Sequence, residues 1–303
     1  MLKYLIIILD DSSVSYCHYS NRVDRKLISI EDLTSGIIWA MKENLMVQMV
    51  YPEYELPKEY LSLIDSVDHI DIKPIAKDAD VSIINGIDEL LKSENLQSHV
   101  ILRLSISELI NNVSAIGHYS ELNIVLTDID KADESTLDAY RQAMLSLSDI
   151  VCDRMCHGEK VAINILTYRL SLSSMNNCNA GGESLTLAPD GRFYVCPAFY
   201  YDNDYSIGTP KDGLDIKNPN LYKLSHAPIC RDCDAYHCKR CIWLNHKMTR
   251  EVNTPSHEQC VISHHERLAS RLLQENLAKA GIKNTGAIIS EIKYNDPFEK
   301  FKR

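Results

Sequence analysis

Seven of the ten cysteines lie in one stretch of the chain. They follow the spacing Cys178-x17-Cys196, then Cys230-x2-Cys233-x4-Cys238-x2-Cys241, then Cys260. Paired cysteines two residues apart direct their sulfurs at one centre, which suits tetrahedral zinc or an iron-sulfur cluster. A disulfide framework is the alternative, and it requires an oxidising compartment. The spacing therefore predicts a metal domain, with zinc and iron-sulfur both open.

The beginning of the sequence indicates a reducing compartment. Its first apolar run covers residues 4–9, and Asp10 and Asp11 follow it. This run is too short for the apolar part of a signal peptide, and no window approaches the roughly 18 apolar residues that a membrane helix requires. We therefore expect a cytoplasmic protein without membrane contact, where clustered cysteines usually bind metal. We interpret Asp10 and Asp11 as a solvated pair at a strand end rather than as a catalytic pair.

Composition excludes several classes of function. The chain has 303 residues, with 32 Lys and Arg against 42 Asp and Glu, and a net charge of −10. This balance disfavours binding to nucleic acid. The sequence contains no G-x-S-x-G, no phosphate loop and no H-E-x-x-H, so a hydrolase or transferase of those types is not indicated.

The first 170 residues alternate β-branched runs with amphipathic stretches, a pattern typical of parallel β/α units. The fold class is therefore α/β, and either a partial barrel or an open sheet fits the pattern. Strands are predicted at 3–9, 47–51, 69–72, 81–85, 100–104, 123–127 and 161–166, and helices at 30–44, 57–67, 87–93, 105–116 and 134–156.

The remaining residues predict a smaller, loop-rich part. Residues 184–188 and 193–195 form a hairpin around Pro189-Asp190-Gly191. Cys178 precedes this hairpin and Cys196 ends it, so we expect both cysteines beside one small sheet. Apolar spacing predicts a helix over 262–279, and the last twenty residues read as a loose tail. The expected domains are residues 1–170, 171–265 and 266–303.

The cysteine fingerprint, with twelve residues between Cys178 and Gly191, resembles the SPASM domain of radical SAM peptide maturases. The family's usual form has five and three residues in the last two internal spacings of the central group, where this chain has four and two. The resemblance implies a degenerate radical SAM core followed by a SPASM-like domain with one or two [4Fe-4S] clusters, zinc being the alternative. It implies Cys178, Cys196 and Cys241 as ligands of one cluster, and Cys230, Cys233, Cys238 and Cys260 as ligands of the second.

The first of these ligand sets lacks a fourth member. Cys152 and Cys156, four residues apart on one predicted helix face, suit a shared site, although they also fit single buried thiols. A substrate thiolate or a histidine is the other option. The histidine candidates are His157, His237, His246 and His257.

The sequence lacks the Cys-x3-Cys-x2-Cys loop with which radical SAM enzymes hold their catalytic cluster. After the first strand it offers only Cys17, with Ser13 and Ser20 at the flanking positions. One thiolate cannot hold that cluster, so we expect no SAM cleavage and no residues for SAM, and replacement of Cys17 by Ala is expected to leave the metal content unchanged. Either the register is coincidental or this is a pseudo-radical-SAM protein. We read Ala180-Gly181-Gly182-Glu183 as a turn.

Residues 3–19, 40–46, 255–260 and 265–267 resemble the CXXX repeat peptide maturases, SPASM proteins without the radical SAM cysteines. This resemblance implies maturation of a ribosomally made peptide with repeated Cys-x3 units, in which the protein binds the Cys-repeat precursor peptide. A companion modifying enzyme is a second expected partner. The alternative is a noncatalytic, zinc-stapled scaffold that presents the peptide to another enzyme, and whether the protein is an enzyme stays open.

Overall fold

The computed structural model describes residues 2–76, 79–93, 99–282 and 286–292. Within this part, strands and helices alternate through the first half of the chain, and helices predominate near its end. In chain order the elements are β1 (Tyr4–Ile8), α1 (Ile30–Lys42), β2 (Met46–Val50), α2 (Lys58–Ile64), β3 (His69–Pro74), β4 (Val81–Asn85), α3 (Ile87–Lys92), β5 (His99–Leu104), α4 (Ile106–Asn111), α5 (Val113–Gly117), β6 (Glu121–Leu126), α6 (Glu134–Cys156), β7 (Ala162–Ile163), β8 (Ser184–Leu187), β9 (Phe193–Tyr194), α7 (Pro197–Tyr201), β10 (Gly208–Thr209), β11 (Gly213–Leu214), α8 (Ile242–Thr249) and α9 (His257–Lys279).

The predicted α/β class is confirmed, and the strands and helices predicted in the first 170 residues are present, with one shortened. The strand predicted at 161–166 covers only Ala162–Ile163, because residues 164–167 form a turn in which the Thr167 N–H donates to the Ile163 carbonyl at 2.8 Å. The predicted helix over 105–116 is divided into α4 and α5, because Asn112 has a non-helical φ of −125° and ψ of 21° between them. Ser105 begins α4 with a capping box, in which its side chain accepts from the Glu108 backbone N–H and the Glu108 carboxylate accepts from the Ser105 N–H.

The chain forms two compact units, and the first consists of the described residues of the segments 1–84, 94–100 and 178–227. Six of its strands lie in the order β4-β3-β2-β1-β8-β9, all parallel except β9 against β8, and β10 and β11 form a separate antiparallel pair. Four consecutive residues of β1 are buried, which is typical of a parallel strand covered on both faces. Helix α1 packs closely at Gly36, where an added Cβ would lie 2.2 Å from a Leu187 methyl group.

The predicted hairpin is present, but it does not form a small sheet of its own. Strand β8 pairs in parallel with β1, from Tyr4 opposite Ser184 to Ile7 opposite Leu187, so the hairpin extends the main sheet of the first unit. All four residues of β8 are buried. The turn requires Gly191, which has a φ of +77°, a conformation that side chains with a Cβ rarely adopt.

The second unit consists of the described residues of 85–93, 101–177 and 228–303. Strands β5, β6 and β7 are parallel neighbours in it. Helices α6 and α9, each of 23 residues, pack on one another, and the Ser148 hydroxyl donates to the Ala269 carbonyl at 3.2 Å. Helix α9 begins five residues before the predicted start, because the Ser256 side chain caps it by accepting from the Gln259 N–H. Cys260 therefore lies in the first turn of α9.

The prediction of a loose C-terminal tail is wrong for residues 286–292. Ile289 is only 3% exposed, and its N–H donates to Gln274 Oε1 at 2.9 Å. Gln274 Nε2 also donates to the Ala287 carbonyl at 3.1 Å. Apolar burial and these hydrogen bonds attach the segment to α9, while the remainder of the predicted tail, 284–285 and 293–303, lies outside the described residues.

The predicted domain boundaries at residues 170/171 and 265/266 stay a prediction. The two compact units group residues by their contacts, and this does not test where domains begin and end along the sequence. No helix among the described residues has both the length and the apolar character needed to cross a membrane.

Candidate metal centre

A cavity of about 300 Å3 in the second unit is lined by four of the predicted ligands, Cys230, Cys233, Cys238 and Cys260. We call it the four-thiol cavity. Cys230 begins a short 3-10 turn, Cys233 and Cys238 lie in the loop that follows, and Cys260 comes from α9. Four cysteines from three local structures thus face one space, as the second predicted ligand set requires.

Backbone N–H groups point at two of these sulfurs. The Ala235 N–H donates to Cys233 Sγ and the Arg240 N–H donates to Cys238 Sγ, each at 3.4 Å. Both donors lie two residues after the cysteine they contact. A thiol sulfur is a weak acceptor, whereas a thiolate attracts such donors strongly, so these N–H groups would stabilise the two sulfurs in their charged form.

Without metal, Cys230 and Cys233 keep their protons at neutral pH. Burial raises the pKa of Cys230 to about 12 and that of Cys233 to about 11, and the charge of Cys238 adds to both shifts. Arg240 opposes the shift at Cys230, and its guanidinium is a buried cation in the cavity wall, 2% exposed. Metal binding must therefore displace protons from this cavity, and the buried positive charge favours the resulting anionic site.

An ion pair between a buried arginine and a half-buried aspartate fixes the loop between Cys233 and Cys238. Arg267 on α9 is 1% exposed and donates to both carboxylate oxygens of Asp234 at 2.6 Å. Although burial opposes it, this guanidinium holds the pKa of Asp234 below its ordinary value. Arg169 donates to the Asp234 carbonyl at 2.6 Å, and Arg267 donates to the Ser290 carbonyl at 2.8 Å. The loop between Cys233 and Cys238 and the C-terminal segment are thus attached to the same arginine.

Histidine 264 is a residue of this site that the sequence analysis missed. It lines the four-thiol cavity, and its Nε2 lies 3.6 Å from Cys233 Sγ. Burial lowers the pKa of His264 to about 4, and the charge of Arg267 adds to this shift. The spacing Cys260-x3-His264 on a predicted helix was the available signal, because residues four apart share one helix face.

Cys241 lies apart from the other cysteines of the second unit. It is absent from the described lining of the four-thiol cavity and instead caps α8, where its Sγ accepts from the Leu244 N–H at 3.4 Å. Its own N–H donates to Gln259 Oε1 at 2.8 Å. In the described part of the chain, no group of three or more His, Cys, Asp or Glu side chains is already placed to hold a single metal ion.

The first unit contains the other two predicted ligands, Cys178 and Cys196, together with Cys17. Cys178 is exposed, and the other two are partly exposed. Burial raises the pKa of Cys196 well above its ordinary value, and the charges of Cys178 and Cys17 add to the shift, so these thiols influence one another. Tyr19 stacks on Tyr201 with 5.1 Å between ring centroids. We call Cys17, Cys178 and Cys196 the surface thiol group.

Asp10 and Asp11 are buried, which corrects their interpretation as a solvated pair. Asp10 accepts hydrogen bonds from the Ser12 N–H at 2.8 Å and from the Tyr54 hydroxyl at 3.0 Å. Asp11 accepts from the Tyr200 hydroxyl and pairs with Arg22 at 3.5 Å. Burial of the carboxylates is tolerated because distant parts of the first unit supply these donors.

Ser13 and Ser20, which flank Cys17 in the loop after β1, differ in burial and in hydrogen bonding. Ser13 is buried, donates to the Val50 carbonyl at 2.8 Å and accepts from the Asp10 N–H at 3.0 Å. Its hydroxyl is thus part of the backbone hydrogen-bond network at the strand end. Ser20 is exposed. The stretch from Ala180 forms a turn, as predicted, closed by the Gly181 N–H on the Ser184 carbonyl at 2.9 Å.

The remaining candidate ligands lie elsewhere. Cys152 and Cys156 share a face of α6, where burial and then the charge of Cys156 raise the pKa of Cys152. His237 is buried, and its Nε2 lies 3.1 Å from both the Ser263 carbonyl and Glu266 Oε2. None of these residues, nor His157, His246 and His257, belongs to the described lining of the four-thiol cavity.

Comparison with known proteins shows the fold and no sequence family. No protein-family model matches the chain, and no curated protein sequence matches it. Among solved structures, the chain is similar to anSMEcpe with bound AdoMet, with a TM-score of 0.64 and 12% identity over 92% of this chain and 95% of that chain. It is also similar to native anSMEcpe with bound AdoMet and the Cp18Cys peptide, with a TM-score of 0.61 and 13% identity over 92% and 99%.

A third similar structure is SuiB from Streptococcus suis bound to the precursor peptide SuiA. The TM-score is 0.50 and the identity is 13%, over 86% of this chain and 76% of that chain. At these identities the likeness establishes a shared α/β fold and nothing about chemistry.

Proposed function

We propose that this protein takes part in the maturation of a ribosomally made, cysteine-repeat peptide, and that it binds the precursor peptide and holds an iron-sulfur cluster in the four-thiol cavity. The observation that carries the proposal is the meeting of Cys230, Cys233, Cys238 and Cys260 around one cavity. The peptides bound in the similar structures, Cp18Cys and SuiA, support the peptide part.

The residues of the four-thiol cavity fit a cluster by their chemistry. Cys230, Cys233, Cys238 and Cys260 would each ligate one iron, which leaves no open metal position. The N–H groups of Ala235 and Arg240 would hold two of the thiolates, and the Arg240 guanidinium would balance their charge. A cluster with all positions filled supplies one-electron transfer.

In this proposal, a substrate cysteine would ligate metal at the surface thiol group. Cys178 and Cys196 come from the ligand set that lacks a fourth member, and Cys178 is exposed to an incoming thiol. A soft thiolate suits a metal centre with an open position. The peptide would then be recognised by its cysteines as well as by its backbone.

Metal analysis tests the cluster. The protein should be purified anaerobically or reconstituted with iron and sulfide, then analysed for iron, zinc and acid-labile sulfide. We expect a brown protein with iron and sulfide in equal amounts. Stoichiometric zinc with no sulfide would reject the cluster and leave the zinc-stapled scaffold.

Peptide binding is tested with a matched pair of peptides. A synthetic peptide with several Cys-x3 units should bind more tightly than the same peptide with all cysteines replaced by serine, and it should change the absorption spectrum of the loaded protein. Equal binding without a spectral change would reject cysteine ligation. No binding of either peptide would reject the maturation role.

We also propose that the protein does not cleave SAM. Ser13 has its hydroxyl committed to the Val50 carbonyl and the Asp10 N–H, and Cys17 supplies only one thiolate. Under dithionite, formation of 5′-deoxyadenosine should stay at background. Formation above background would reject this part.

A further inference from the structure

His264 contacts Cys233, which is one of the proposed cluster ligands, but His264 is not itself a member of the proposed ligand set. His264 Nε2 lies 3.6 Å from Cys233 Sγ, within hydrogen-bond distance for sulfur. Both side chains line the four-thiol cavity, and His264 is buried on the helix that also carries Cys260. Because Cys260 and His264 are four residues apart, they lie one above the other on the same face of α9.

Metal binding determines the direction of this hydrogen bond. In the free protein either the thiol or the imidazole can donate. A sulfur that ligates metal is a thiolate and carries no proton, so only a hydrogen on His264 Nε2 can then occupy the contact. The Ala235 N–H donates to the same sulfur at 3.4 Å, which makes Cys233 the acceptor of two hydrogen bonds.

Two donors on one ligand sulfur have an electrostatic consequence. Reduction adds one electron to a cluster, and the added negative charge spreads onto the ligand sulfurs. Hydrogen bonds to those sulfurs stabilise the reduced state, and they are one of the established means by which proteins set cluster potentials.

We propose that His264 is a positioning residue of the four-thiol centre: its Nε2–H donates to the Cys233 sulfur and raises the reduction potential of the cluster held there. This inference rests on the proposed function, because it takes the centre to be iron-sulfur. It assigns His264 no metal bond.

The test compares His264→Leu, His264→Gln and the control His265→Leu in the reconstituted full chain. His265 is the neighbouring residue on α9 and lies near Arg141 and Asp138 of α6 instead. Iron and sulfide content come first, and then the midpoint potential from titration with dithionite, followed by absorbance and electron paramagnetic resonance.

We expect His264→Leu to keep its iron and to have a more negative midpoint potential than the wild type. His264→Gln, which retains an N–H donor, should recover part of the shift, and His265→Leu should leave the potential unchanged. An unchanged potential in an iron-loaded His264→Leu would overturn the proposal. So would loss of one cluster's iron in both His264 variants, because His264 would then be a ligand.

A second measurement separates this proposal from the proposed function. If the wild type contains zinc and no sulfide, the iron-sulfur assignment fails, but the hydrogen bond is still testable. Alkylation of Cys233 by iodoacetamide in the zinc-loaded protein, followed by mass spectrometry, should be faster in His264→Leu because the thiolate has lost a donor. Equal rates would overturn the hydrogen bond itself.

Discussion

The two groups of cysteines differ in how completely the protein surrounds them. The four-thiol cavity has a buried Cys230, backbone donors to two sulfurs, and a loop attached to α9 through Asp234 and Arg267. The surface thiol group has an exposed Cys178 and two partly exposed thiols, Cys17 and Cys196. One cysteine fingerprint thus supplies a site whose metal would stabilise the fold and a site that an external thiol can reach.

The largest difference between the two groups is expected in stability. Cys233→Ser removes a thiolate from the enclosed site, and we expect the metal-loaded protein to lose about 5 kcal/mol of unfolding free energy, because metal binding contributes folding energy to loop-rich parts of a protein. The measurement is urea unfolding followed by circular dichroism, together with iron content.

Cys178→Ser is the matched control, with an expected loss of less than about 1 kcal/mol because the side chain is exposed. Equal losses in the two variants would show that the distinction between an enclosed and an open site is wrong.

The ion pairs of the two units should also differ in how much they stabilise the protein, with the larger loss of unfolding free energy again in the second unit. Arg267→Met removes the bidentate partner of the half-buried Asp234 carboxylate, which keeps only a contact of 3.4 Å to Arg169, and should lower the unfolding free energy by about 3 kcal/mol. Arg22→Met in the first unit removes a longer contact of 3.5 Å to the buried Asp11 carboxylate and a hydrogen bond to Asn203. It should cost about 2 kcal/mol, because Asp11 keeps its hydrogen bond from the Tyr200 hydroxyl.

A double-mutant cycle with Asp234→Asn isolates the coupling of the first pair. A coupling energy near zero would mean that Arg267 stabilises the unit through packing alone.

Backbone conformation gives a third test, located in the first unit. Gly191→Ala places a side chain at φ +77°, with its Cβ about 2.6 Å from the Asp32 carboxylate. We expect a loss of about 2 kcal/mol, with the iron content of the four-thiol cavity unchanged. Gly158→Ala, at φ +87° with open space around it, is the control for the backbone strain alone. If both variants lose the same free energy, the contact with Asp32 has no energetic weight.

The smallest effect concerns acid. Burial and then the charge of Arg141 lower the pKa of His265 to about 4. Because the folded pKa is below the ordinary value of about 6.5, the stability from neutral His265 is complete above pH 6.5 and is lost as the pH falls through 4. We expect His265→Leu to reduce the loss of unfolding free energy between pH 7 and pH 4.5 by about 1 kcal/mol.

Part of the acid dependence should remain in that variant, since His264 has a similarly lowered pKa. The first unit has the opposite sensitivity: burial and a hydrogen bond to Asp10 raise the pKa of Tyr54 to about 12, so its contribution is lost above pH 10.

The sequence predicted what local patterns determine. Helix α6 has the predicted bounds because Asp133 caps it and apolar residues recur along it. The Gly191 turn follows from its residue types. Distant contacts were not predictable: the burial of Asp10 and Asp11 depends on Tyr54 and Tyr200, and nothing near them indicates those partners. The four-thiol cavity could be anticipated from the cysteine spacing. The burial of Arg240 and Arg267 could not, because arginine is usually exposed and the sequence around them does not indicate their partners.

The parallel pairing of β1 with β8 affects how the protein is made. Tyr4 lies opposite Ser184, so the chain must be synthesised for about 180 further residues before the second edge of its first strand can be covered. During that interval an apolar strand has an unpaired edge, which is a site for association with other chains. Strand β1 is therefore among the last of these strands to be enclosed, and a nascent chain halted before residue 184 cannot complete the sheet to which β1 belongs.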